Sequence, residues 1–303
     1  MSRLYISRKK HIAVIIFIAV ITLFTLFAIV TRPPESFPSS KGFIVDEGQN
    51  LRTISENLKT GDYIKSPVLF RVIVSFIGRD KQIQLGEYFF GKPISLIGLI
   101  HKMVYEKPDK PLVRITIPEG STTYEIARII QKKLPEFSID IFGEYVTKNN
   151  ADGKLFPSTY FFLPSTNEER VVILLSNTFE RKYQELFKDK SAPAPLIDRD
   201  DVIILASILE GEAQKKEDMQ IIAGILLKRL KIGMALQVDV AKETYKRKGL
   251  PYEPINNPGV RALDAVFTNI SSPYLYYITG NDGKMYYAKT FEEHKRNIAN
   301  YLR

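Results

Sequence analysis

The chain has 303 residues, 45% of them hydrophobic and 25% charged, with a formal net charge of +9. That composition is ordinarily globular and leaves room for two domains. Cysteine is absent, so disulfides and Cys-ligated metals are excluded. His11, His101 and His294 stand far apart, and no HExxH or carboxylate–histidine cluster occurs. Neither a metal nor a cofactor is therefore expected. GxSxG, Walker A and GxGxxG patterns are missing too. Basic residues are scattered, with one concentration at Lys242, Lys246, Arg247 and Lys248. Aromatics do not interleave with them in a recognition motif, so nucleic acid is not an expected partner. An anionic cell surface, a wall polymer or lipid headgroups account for the charge as well.

In chain order, the first element is the uncharged run Ile12–Val30, 19 residues long. At 1.5 Å per residue it is just long enough to span hydrocarbon. Arg3, Arg8, Lys9 and Lys10 precede it and Arg32 follows, which puts the N-terminus in the cytoplasm. The rival reading is a cleaved signal peptide. Its apolar region would be unusually long, and no clear A-x-A site follows, so we read a retained anchor. Pro33, Pro34, Ser36, Pro38, Ser39 and Ser40 then form an extended linker.

A weak internal repeat comes next. The segment Ile44–Ile54 resembles Thr116–Ile126: each reads as a strand, a turn at Glu-Gly and a short amphipathic helix. In the second copy Thr122 and Glu125 have capping-box spacing, followed by the stripe Ile126, Ile129, Ile130 and Leu134. Between the copies a helix is predicted at Val68–Ile77, a strand at Gly86–Phe90 and a helix at Ile94–Val104. Residues 137–191 read as mostly helical, interrupted by the aromatic segment Gly153–Phe162. That segment either lines a sugar site or is a buried loop anchoring two helices. Asp200 or Asp201 is expected to cap a helix over Val202–Ala213. A second helix runs over Lys216–Leu230, with Gly233 at its C-terminal cap. After a loop-rich stretch, Tyr274–Ile278 and Met285–Ala288 flank a glycine-rich turn and predict a β-hairpin. A terminal helix covers Phe291–Leu302.

The chemistry concentrates in Leu205-Ala-Ser-Ile-Leu-Glu-Gly-Glu-Ala-Gln214, where Glu210 and Glu212 interrupt an apolar helix. A carboxylate buried there must be paired or kept protonated. A carboxylic acid protonated near neutral pH suits cleavage of a glycosidic bond. The alternative is a solvated helix face. Helical residues two apart point roughly 200° away from each other, so the two carboxylates cannot share one cleft on a regular helix. Gly211 loosens the helix and admits a close approach of backbone or ligand. Glu212, at the helix end, is the better candidate.

Several segments resemble the MltG (YceG-like) family of endolytic murein transglycosylases. They are Ala206–Ala213, Ile222–Gln237, Gly249–Gly259, Tyr274–Tyr277, Thr290–His294 and Leu155–Tyr160, in order along nearly the whole chain. The resemblance implies an α+β architecture with a LysM-like domain followed by a lysozyme-related, mixed α/β catalytic domain. The expected organisation is a cytoplasmic N-terminus (1–11), a transmembrane helix (12–30), a linker (31–42), a LysM-like domain (43–117) and a catalytic domain (118–303). The catalytic domain would lie outside the cytoplasmic membrane. The resemblance also implies Glu212 as the catalytic residue, cutting the β-1,4 bond between N-acetylmuramic acid and N-acetylglucosamine. Glu210 would support the site or face water. Gln237, Asp239, Tyr245, Asn256 and Asn257 are the expected substrate contacts. Expected partners are peptidoglycan glycan strands, the cytoplasmic membrane and peptidoglycan synthases of the elongation or division machinery. The segment after Gln237 is shorter than the family pattern, and Ser158 stands where the family carries a carboxylate. A catalytically silent wall-binding scaffold and a water-using muramidase are the alternative readings.

Overall fold

The structure, a computed structural model, describes residues 2–79, 82–268 and 270–302, with side chains from Ile15 onward. The chain forms two compact units, one comprising Met1–Val113 with Phe161–Pro164, the other Arg114–Tyr160 with Ser165–Arg303. The architecture is mixed α+β.

The first unit begins with helix α1 (Ser2–Thr31), which contains the predicted apolar run. The side chains of Ile12, Ala13 and Val14 lie outside the described residues. From Ile15 to Val30 the large apolar side chains are exposed, Leu23 by 73% and Phe24 by 71%. Among the described residues, no helix is long and apolar enough to cross a membrane. Strand β1 (Gly42–Val45), helices α2 (Leu51–Thr60) and α3 (Pro67–Phe76), strand β2 (Gly86–Phe89), helix α4 (Leu96–Tyr105) and strand β3 (Lys110–Pro111) follow. The strands form one sheet in the order β1-β2-β3. Strand β1 runs antiparallel to β2, with Gly42 opposite Phe89 and Val45 opposite Gly86. Asn50, Ser66 and Ser95 cap the three helices through their side-chain oxygens, each satisfying a free first-turn N–H. Phe37, Phe43, Tyr63 and Phe90 pack edge to face in the core. That geometry suits the ring quadrupoles.

In the second unit strand β4 (Val113–Thr116) leads through a turn into α5 (Thr123–Gln131). Gly48 and Gly120 adopt φ values of 78° and 75°. Both copies of the sequence repeat therefore make the same left-handed turn, which only glycine enters cheaply. The capping box of Thr122 and Glu125 is present. Helix α6 (Ile139–Lys148), strand β5 (Thr159–Phe162) and helix α7 (Glu168–Phe187) come next. Leu155, Phe156, Tyr160 and Phe162 are buried, so the aromatic interruption is core and strand. Within this unit the Ile117 N–H donates to the Ser158 carbonyl.

Helices α8 (Arg199–Glu212) and α9 (Lys216–Lys231) form the centre of the second unit, together with α10 (Val260–Thr268). Asp198, not Asp200 or Asp201, caps α8, accepting from the N–H groups of both. The side chain of Asp201 instead accepts from the Ile197 N–H. Val202–Leu209 is buried on every face, which explains the unbroken apolar run. Helix α10 has no counterpart among the predicted elements. Strands β6 (Tyr276–Thr279) and β7 (Met285–Ala288) make the expected antiparallel hairpin, and α11 (Phe291–Tyr301) closes the chain.

Candidate active site

The site lies at the C-terminal end of α8. That helix stays regular through Gly211 and stops at Glu212, after which Ala213 turns extended at φ −145° and ψ 150°. Gly211 does not loosen the helix. A Cβ on it would meet Val240 Cγ1 at 2.9 Å, so its bareness admits the Val240 side chain.

The two carboxylates take separate partners. Glu210 Oε2 accepts a hydrogen bond of 2.8 Å from the Gly259 N–H, just before α10. The Glu-Gly turn of the second repeat covers it: a Cβ on Gly120 would lie 3.3 Å from Glu210 Cγ. Glu119 of that turn pairs with Arg261 of α10 at 2.6 Å. Burial raises the pKa of Glu210 above the usual carboxylate value, opposed by the Gly259 hydrogen bond and reinforced by the Glu119 charge.

Glu212 takes a different pair of partners. Its Oε1 accepts from the Val240 N–H at 3.4 Å, and its Oε2 from the Tyr277 hydroxyl at 3.1 Å. Burial lifts its pKa above the usual carboxylate value, against the pull of those two donors, and the Asp239 charge adds to the lift. Tyr277 is itself pushed well above the ordinary phenol value by burial and by Glu212, so it is a fixed proton donor to the carboxylate.

Both partners of Glu212 are braced. Thr244 is fully buried; its hydroxyl accepts from the Val238 N–H at 3.0 Å and donates to the Ala241 carbonyl at 2.6 Å. This cross-tie shapes the loop that presents Val240. Arg229 of α9, 5% exposed, donates from Nε to the Leu275 carbonyl at 2.8 Å and from Nη1 to the Leu236 carbonyl. One guanidinium thereby links the base of the hairpin carrying Tyr277 to the start of the loop carrying Val240. Charged donors make strong hydrogen bonds, so this is a stiff connection.

A cavity of about 410 Å³ opens here, walled by Glu210–Lys215 and Asp218 on the helical side and by Thr279 and Met285 of the hairpin. Its volume is in the range of small-ligand sites. Among the expected contacts, Asp239 and Tyr245 sit beside Glu212, with the Tyr245 hydroxyl donating to Asp239 Oδ1 at 2.8 Å. Burial and that bond lift Tyr245 to about 12. Gln237 is exposed at a left-handed φ of 49°, its N–H donating to the Thr244 carbonyl. Asn256 is buried beside Gly211, donating from Nδ2 to the Ser207 carbonyl at 2.9 Å, while its Oδ1 has no partner. Asn257, 1% exposed, spends both amide atoms inside the protein: Oδ1 accepts from the Leu155 N–H and Nδ2 donates to the Ser121 carbonyl. None of these five lines the cavity.

Sequence reasoning passed over Tyr277, Arg229, the Val240 backbone and the Glu119–Arg261 pair. A strand's alternation separates Tyr276 from Tyr277 but does not say which faces the carboxylate. The tell-tale signal for Arg229 was an arginine within the apolar positions of α9.

The pattern of the YceG-like family matches residues 43–242 and 243–300, and the chain belongs to that family. The "Endolytic murein transglycosylase" of Bacillus subtilis (strain 168) is 26% identical over 310 residues, covering 85% of this chain and 84% of that protein. The protein of the same name from Streptococcus pneumoniae serotype 2 (strain D39) is 25% identical, and the match spans 85% of this chain but 58% of the relative. The crystal structure of a YceG-like protein from Listeria monocytogenes shares the fold, with a TM-score of 0.52 and 22% identity, over 84% of this chain and 98% of that one.

Proposed function

We propose that this protein is a peptidoglycan lytic transglycosylase with Glu212 as its acid–base residue. The observation that carries the reading is a carboxyl group with a raised pKa on the wall of a cavity, held in place by two donors. The name shared by relatives in two organisms supports the substrate class. Glu212, protonated, gives its proton to the glycosidic oxygen as the C1–O bond of N-acetylmuramic acid breaks. The resulting carboxylate then takes the proton of the muramoyl C6 hydroxyl as that oxygen closes on C1. A 1,6-anhydro end forms, the proton returns to Glu212 and no water is consumed. One carboxyl group serves both steps, unlike the paired carboxylates of ordinary glycosidases. Asp239 and Tyr245 tune the charge around Glu212, and Glu210, Asn256 and Asn257 brace the floor.

The N-terminal segment we read as a membrane anchor that leaves the enzyme on the outer face. Continuous helix through α1 and the exposed apolar side chains from Ile15 to Val30 support this. The first unit's strand–helix–helix–strand order favours the LysM-like, glycan-binding reading.

Purified peptidoglycan digested with the full chain in detergent is the test, read by mass spectrometry. Anhydromuramoyl ends from wild type and none from Glu212→Gln are expected. Reducing ends instead would make the protein a hydrolase, and no cleavage would make it a scaffold. For topology, the C-terminus should be protease-accessible in spheroplasts; protection until lysis would overturn the outward orientation.

A further inference from the structure

The other end of α8 carries a second cavity of about 340 Å³. Asp200, on its wall, lies 12 residues before Glu212 in the same helix. At 1.5 Å per residue the two stand about 18 Å apart along the helix axis, too far for one sugar unit to touch both.

The walls of this cavity are polar and electrically balanced. Lys154 pairs with Asp200 at 3.0 Å, and Arg199 with Glu180 at 2.6 Å. Each cation is already neutralised, so no surplus positive charge remains to hold an anion. The Arg199 guanidinium is pinned over the Tyr183 ring, 4.1 Å from its centre, yet its buried Nε has no partner. Ser176 of α7 is the second orphan: its Oγ is buried and unpaired. A helical hydroxyl ordinarily bonds the carbonyl four residues back. Thr178, two residues on, does so with the Leu174 carbonyl at 2.7 Å. Ser176 therefore keeps a donor and an acceptor free on a cavity wall, beside the exposed amide of Asn177. Buried polar groups without partners are rare in folded proteins and point to a missing one.

We propose that this cavity is a second carbohydrate subsite, taking an uncharged N-acetylated sugar unit of the same polymer that Glu212 cuts. Hydroxyl and acetamido groups both donate and accept, which matches an orphan hydroxyl, an orphan guanidinium N–H and side-chain amides better than a phosphate or carboxylate does. The identity of the polymer rests on the function proposed above. A strand held at both ends of α8 is gripped away from its reacting bond, which favours internal over terminal cleavage.

The test is a diazirine-bearing N-acetylglucosamine tetramer, photocrosslinked to the full Glu212→Gln chain in detergent and mapped by mass spectrometry. Adducts are expected on the peptides containing Asn150 and Ser176. Asn177→Trp, at an exposed position, should lower them at least tenfold, and Ser176→Ala about threefold. Unlabelled tetramer should compete and inorganic phosphate should not. Absence of adducts there, indifference to Asn177→Trp, or competition by phosphate alone would each overturn the proposal. The adduct map reads this cavity alone, whereas the digestion of peptidoglycan reads Glu212, so the two failures are distinguishable.

Discussion

Two carboxylates two residues apart end in different surroundings. Glu210 is roofed by the Gly120 turn and spends an oxygen on the Gly259 N–H, beside the ion pair of Glu119 and Arg261. Glu212 meets a loop and a hairpin, and both of its partners are donors. Against the expectation from helix periodicity, both residues edge the same cavity although the helix stays regular, and the hairpin that carries the Tyr277 partner of Glu212 borders it too. A raised pKa does not by itself mark the reacting group. Burial raises both carboxyls, and what separates them is their hydrogen-bond partners.

Removing each carboxyl in turn separates the two residues most strongly. Glu212→Gln is expected to lower turnover of peptidoglycan about 10³-fold, the weight of a general acid. The same variant should melt at a higher temperature than wild type at pH 7. A carboxyl whose folded pKa lies above its unfolded value binds the proton more tightly when folded. Its stability penalty is therefore absent below the unfolded value of 4.5 and grows as pH rises through the folded one. The gain in melting temperature should thus shrink toward pH 4; a gain that grows on acidification would contradict the assignment.

Gly211→Ala comes next. Its methyl carbon would sit 2.9 Å from Val240 Cγ1, and the loop must yield. Displacing the Val240 N–H from Glu212 should cost about 10²-fold in kcat/KM, typical of small misplacements in a site. Thermal stability should change little, because Val240 is 37% exposed and has room to move. A variant with full activity would remove the loop from the mechanism.

Glu210→Ala should show the reverse pattern. It leaves the Gly259 N–H without its acceptor, at a cost of about 1–3 kcal/mol in a denaturant titration. Activity at low temperature should stay within about tenfold of wild type. Complete loss of turnover with unchanged stability would reverse the roles of the two glutamates. Tyr277→Phe is the smallest and most diagnostic change. It removes a donor that favours the ionised carboxyl, so the pKa of Glu212 rises further. The alkaline limb of the pH–rate profile should move upward, with a few-fold change in the maximum rate. A downward shift would mean that Tyr277 does not act on Glu212.

Much of the fold was legible before the structure. The copies of strand, Glu-Gly turn and helix, the capping box at Thr122 and Glu125 and the tyrosine hairpin are all local patterns. Their signals lie within a few residues of each other and survive any tertiary arrangement. The α8 cap was misplaced because Asp198, Asp200 and Asp201 are all competent caps, and only the turn geometry chooses. Helix α10 escaped notice because its nine residues follow a Pro-Gly loop and offer only a short apolar stripe. Asn256 and Asn257 looked like ligand contacts because a polar side chain in a loop carries no mark of burial. Asn257 instead clips together segments 136 residues apart in sequence, from the turn at Ser121 to its own loop.

The sequence by itself implied different neighbours for Glu210 and Glu212, since a 3.6-residue helical period turns residues two apart away from each other. It also determined the run of apolar residues at the N-terminus and the small elements capped by their own side chains. Only the tertiary structure decided what each glutamate meets, because Val240, Tyr277 and the Arg229 that braces both arrive from distant stretches of chain. Hydrogen-bond partners and burial depend on contacts that no local pattern encodes. They are what turn two similar carboxylates into a brace and a candidate acid.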